Sequence, residues 1–84
     1  EAVVYLGVRE YYQHQGIGQA LINRIEAWAL NHHIRRIEAT VVTENINAIE
    51  LFKGMGFQIE GELKDKLFIN QKYYNEYVMA KILN

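Results

Sequence analysis

The residues best suited to chemistry lie in Gln13-His14-Gln15-Gly16-Ile17-Gly18. Two glycines one residue apart let backbone N–H groups converge on an oxygen ligand. A helix starting beside them would add the partial positive charge of its N-terminus. The chemistry on offer is therefore anion binding by main-chain donors. Gln13 and Gln15 contribute amides rather than fixed cations, so the electrostatic grip depends on the backbone. Two familiar nucleotide cradles do not fit. A dinucleotide fingerprint needs a third glycine, where this chain has Leu21, and a phosphate-binding P-loop needs Gly-Lys-Ser/Thr, which is absent. Read without a motif, Gly-x-Gly after a strand is a tight turn.

Other reactive side chains are scattered. Asn45 stands where a short helix should start and is a good N-cap. Tyr11, Tyr12, Tyr73, Tyr74 and Tyr77 can stack on a ligand, donate a proton or pack on a strand. Adjacent histidines on a helix point in different directions, so His32 and His33 suit the negative helix end better than a metal. No metal site is expected.

The elements that position these residues follow from periodicity. Residues 1–8 read as a strand covered on both faces. A helix is expected over about 18–33, with Ala20, Leu21, Ile25, Trp28 and Ala29 on its apolar face and Ile22 and Leu30 flanking it. Residues 35–42 form a second strand, parallel to the first through a right-handed crossover. A short helix over 46–54 should end at Gly56 in the left-handed conformation. Residues 57–63 and 73–83 read as two further strands, joined by 64–72 with a turn at Asn70-Gln71. Glu60-Gly61-Glu62 points to a bulge.

The run from Val8 to Leu21 resembles the acyl-CoA-binding motif of the GNAT (Gcn5-related) N-acetyltransferases, Gln/Arg-x-x-Gly-x-Gly/Ala after a strand ending in Val. A second run, Glu44-Asn45-Ile46-Asn47-Ala48-Ile49-Glu50-Leu51-Phe52-Lys53-Gly54-Met55-Gly56-Phe57, resembles that family's Asn-x-x-Ala-Ile-x-Leu-Tyr-x-Lys-x-Gly-Phe segment. The resemblance implies an α/β, GNAT-like acyl-CoA N-acyltransferase fold, here a partial β-α-β-α-β-β unit with a mixed sheet. Residues 1–84 would be one domain lacking the family's N-terminal strands and helices. It also implies transfer of an acetyl group from the co-substrate acetyl-CoA to a primary amine.

Site roles follow from the same resemblance. The main chain of Leu6 and Val8 would line a slot for the pantetheine arm, opened where the first strand splays from its neighbour, and Val8 N–H would polarise the thioester carbonyl. Gln13, His14, Gln15, Gly16, Ile17 and Gly18 would hold the pyrophosphate, and Asn45 would contact the cofactor arm. Phe52 occupies the position of a tyrosine acid without its proton, and Gly54 replaces a lysine. Thr40 sits where some relatives place a carboxylate. A non-catalytic CoA-binding or assembly module that keeps part of the fold is the competing expectation.

Composition bounds the rest. A domain of this length buries only roughly 60–65% of its unfolded surface. Half of the residues are hydrophobic and 12% aromatic, enough for a globular core. The net charge of −1 gives no basic field for nucleic acid. The chain has no cysteine, which excludes a disulfide frame and a thiol nucleophile and suits a reducing cytoplasm. No apolar run approaches the ~20 residues of a membrane span. The expected partners are acetyl-CoA and an amine, with a homodimer or an N-terminal half supplied by another segment completing the fold.

Overall fold

The computed structural model describes residues 3–8 and 15–83. The elements run β1 (Val3–Val8), α1 (Gln15–Asn31), β2 (Arg36–Val42), α2 (Ile46–Gly54), β3 (Gln58–Ile69) and β4 (Lys72–Ile82). They build one mixed sheet of order β1-β2-β4-β3. β1 and β2 are parallel, as a helical crossover between them requires, and the other two pairs are antiparallel.

Alternation along β2 divides the sheet into two faces. Ile37, Ala39 and Val41 are fully buried, while Arg36, Glu38, Thr40 and Val42 between them are half-buried. The buried set joins Met79 of β4, Ile22 and Ala29 of α1, and Ala48, Ile49, Leu51 and Phe52 of α2 in one core cluster. Both helices therefore lie on a single face, and no helix among the described residues covers the other. Lys81 of β4 ties this layer together by an ion pair to Glu26 of α1 at 2.9 Å. On the opposite face Arg36 bonds Glu38 and Glu60 at 3.0 and 2.6 Å. Those contacts hold the guanidinium protonated and lower the Glu60 carboxyl.

Three differences from the sequence reading have physical causes. The packed stripe of α1 is Gly18, Ile22, Ile25 and Ala29, whereas Leu21, Trp28 and Leu30 are about half exposed. Small residues let the helix approach α2, so the larger neighbours are rotated outward. The helix also begins at Gln15, three residues earlier than expected. Finally, β3 runs through the expected connection as far as Ile69. The charged run Lys64-Asp65-Lys66 is accommodated by a register shift between Leu63 and Leu67, where Asp65 takes φ 49° and donates its N–H to Asn75 Oδ1 at 2.7 Å.

Other local features follow the sequence. A register shift between Ile59 and Gly61 marks the expected bulge. Gly56 has φ +96° and closes α2. At two turns, left-handed positions lack the glycine that suits them. His33 (φ 60°) ends α1 in a Schellman arrangement, its N–H bonded to Leu30 O and that of Ile34 to Ala29 O. Asn70 and Gln71 (φ 51° and 63°) form the two-residue turn of the β3–β4 hairpin. Left-handed strain of about 1–2 kcal/mol outweighs the roughly 0.5–1 kcal/mol entropic cost of glycine. Gln71→Gly should therefore stabilise the fold by about 0.5–1 kcal/mol and raise the thermal midpoint by a few degrees, read by circular dichroism.

Candidate active site

The site is organised by the first turn of α1. Gln15, Gly16, Ile17 and Gly18 are its first four residues, and the N–H groups of the first three have no acceptors within the helix. No acidic residue lies in that turn to compete for them. The end of α1 can thus receive an anion through its main chain. The two glycines differ in purpose. A Cβ on Gly18 would stand 2.7 Å from Leu51 Cδ2, so the bare backbone there lets α1 lie against α2. Gly18 is thus a packing residue as well as a candidate donor, a role that the sequence reading missed. Gln13 and His14 lie outside the described residues, as do the loop tyrosines 11 and 12.

β1 delivers the chain to this point. Its register against β2 is unbroken from Val3↔Arg36 to Val8↔Val41. The separation of strands implied by the family resemblance is therefore not found within the described part of the pair. Any opening for a cofactor arm begins no earlier than Val8, and Leu6, paired with Ala39, lies inside the ladder. On its helix side, the Leu6 side chain lines an apolar groove of about 430 Å³ with Val4, Leu21, Arg24, Ile25 and Trp28.

Asn45 follows the C-terminal end of β2 and caps α2 as expected. Its Oδ1 accepts from Ala48 N–H at 3.3 Å, and the residue is buried. Phe52 is one turn from the end of α2 and only 3% exposed, edge-on to Phe57 with ring centroids 4.9 Å apart. Its ring is part of the hydrophobic core.

Around the rim, Tyr73 is exposed and tilted against Phe68, Lys72 lies over the Tyr74 ring, and Tyr77 packs on the core. His32 stacks on Trp28 and donates from Nδ1 to the Trp28 carbonyl at 2.8 Å. Among the described residues, no group of three or more His, Cys, Asp or Glu is placed to hold a metal. No helix among them is long and apolar enough to cross a membrane. Sequence reasoning overlooked Glu76, a carboxylate 2% exposed in mid-β4. Its setting between Asn75 and Tyr77 reads as an ordinary strand position.

A parallel β-α-β unit with an anion-receptive helix start, followed by a capped short helix and a hairpin, has a counterpart among known proteins. A family model described as an acetyltransferase (GNAT) domain matches residues 1–78. The chain belongs to the GNAT acetyltransferase family. Among curated GNAT relatives, it is 33% identical over 72 residues to the L-amino acid N-acetyltransferase AaaT of Escherichia coli. That match covers 84% of this chain and 44% of the relative, so the chain spans less than half of that enzyme's length. Among solved structures, Arabidopsis thaliana NAA60 in complex with a bisubstrate analogue superposes with a TM-score of 0.83 at 29% identity. It covers 98% of this chain and 50% of its own. Spermidine N-acetyltransferase from Vibrio cholerae, solved with CoA and spermine, gives a TM-score of 0.78 at 30% identity, covering 84% and 43%.

Proposed function

We propose that this chain is the acyl-CoA-binding half of an N-acetyltransferase that passes an acetyl group from acetyl-CoA to an amine. The observation that carries the reading is the first turn of α1, whose unpaired main-chain donors stand in a turn that holds no acidic residue. Gln15, Gly16, Ile17 and Gly18 would hold the diphosphate of the co-substrate, with Gln13 and His14 beside them. Asn45, at the adjoining end of β2, would contact the pantetheine arm.

Transfer needs positioning and a home for developing charge. As the amine nitrogen bonds to the acetyl carbon, the carbonyl oxygen becomes negative, and Val8 N–H would donate to it. The carbon–sulfur bond then breaks, the nitrogen loses a proton and the CoA thiolate gains one. Phe52 has no proton to give, so water would serve as the acid.

That deficiency favours a second reading, a module that binds CoA without turnover. Thermal unfolding with acetyl-CoA, then thiol release across an amine panel, tests both. A ligand at 100 times its Kd adds about 2.7 kcal/mol, a shift on the order of 10 °C for a domain of this size. A shift with amine-dependent thiol release supports transfer, and a shift without release supports the module. Absence of any shift removes both readings.

A further inference from the structure

One buried ionisable side chain has no part in the site described above. Glu76 is 2% exposed, and its Oε2 has no hydrogen-bond partner among the described residues. A buried carboxylate oxygen is costly unless something donates to it. The strand register shows which way this one points. Cross-strand partners share a face: Glu76 pairs with Val42, Val78 with Thr40 and Ala80 with Glu38. Lys81, in the opposite phase, reaches Glu26 of α1. Glu76 therefore stands on the face turned away from both helices, where Tyr5, the partner of Glu38, is 71% exposed.

Two further observations make a site of this position. Gly61 pairs with Val78 and so lies diagonal to Glu76 on the same face, and a Cβ added there would meet nothing within 4 Å. The position at Gly61 is thus open, on the face that carries the carboxylate and diagonal to it. The Val42↔Glu76 pair also stands one residue beyond Val41↔Val8, at the end of the sheet where β1 stops. Two strand spacings, about 10 Å, separate Val8 from Glu76. Among the described residues, the other charges on this face are engaged elsewhere, Arg36 with Glu38 and Glu60 and Lys72 with Glu44.

Resting on the reading that acyl transfer takes place beside Val8, we infer that Glu76 and the open position at Gly61 hold a second, cationic nitrogen of the acceptor. The acceptor class is then a short diamine or polyamine. One nitrogen faces the thioester while the other is anchored two strands away. An α-amino acid with an uncharged side chain, such as L-alanine, brings a carboxylate and no second cation, and a carboxylate at Glu76 disfavours it.

The test is calorimetry on the purified protein, with and without CoA, using 1,4-diaminobutane, n-butylamine and L-alanine. The diamine should bind at least about tenfold more tightly than the monoamine. Glu76→Gln and Gly61→Val should each remove that preference while leaving acetyl-CoA affinity unchanged, and Glu76→Gln should melt no lower than the parent. Equal affinity for diamine and monoamine overturns the proposal, as does a preference that survives in both variants. A lower midpoint for Glu76→Gln with diamine affinity intact also overturns it, because Glu76 would then be serving a cation of the protein itself. If Glu76→Gln does not fold, Gly61→Val carries the test, its backbone lying outside the left-handed region. Failure to bind acetyl-CoA would count against the acyl-transfer reading, whereas the diamine titration without CoA reads Glu76 independently.

Discussion

Replacing Phe52 with alanine is expected to lower the unfolding free energy by about 3–5 kcal/mol. The ring is 3% exposed and packs edge-on to Phe57, so truncation removes buried area and leaves a cavity between α2 and the sheet. Against a total stability of roughly 4–13 kcal/mol for a chain of this length, such a loss removes from about a quarter to all of it. Urea denaturation followed by circular dichroism reads the effect. The same experiment separates two roles for this position. If the ring chiefly lined a ligand channel, Phe52→Ala would keep its urea midpoint and lose only acetyl-CoA affinity.

The second large effect is expected at the start of α1. Gly16→Val should weaken acetyl-CoA binding at least about 100-fold while moving the thermal midpoint little. Branched bulk beside the first-turn amides would hold a diphosphate away from two or three charge-assisted hydrogen bonds, each contributing about 1.5–3 kcal/mol. Titration calorimetry decides it, and unchanged affinity would show that the anion is held elsewhere. Gly18→Val is a useful contrast. Its side chain would collide with Leu51, so stability should fall there as well.

Much of this architecture was legible in the sequence, where local chemistry dictates local geometry. Asn45 before an apolar run marked the start of α2, Gly56 marked its end, and Asn70-Gln71 marked a two-residue hairpin turn. All three follow from capping and left-handed preferences that operate within a few residues. The elements missed depend on partners far along the chain. The rotation of α1 is set by the approach of Gly18 to Leu51, which brings Ile22 into the core beside Ala29 and leaves Leu21 and Trp28 half exposed. The extension of β3 through Lys64-Asp65-Lys66 relies on Asn75 of the facing strand. At the candidate site, the double-glycine motif was visible, but Glu76 was not. Nothing around a glutamate in a tyrosine-rich strand reveals that its neighbours will close over it.

The strand order carries a consequence for biosynthesis. β4 is hydrogen-bonded to both β2 and β3, yet it is translated after each of them. Until Ile82 clears the ribosome, β2 lacks its antiparallel neighbour and β3 has none of its hairpin. The apolar residues Ile37, Ala39 and Val41 must meanwhile wait without Met79 beside them. Such a nascent chain has to be kept from association while synthesis finishes. Pauses in translation just upstream of Lys72 would lengthen that exposure, and rapid decoding of the final strand would shorten it.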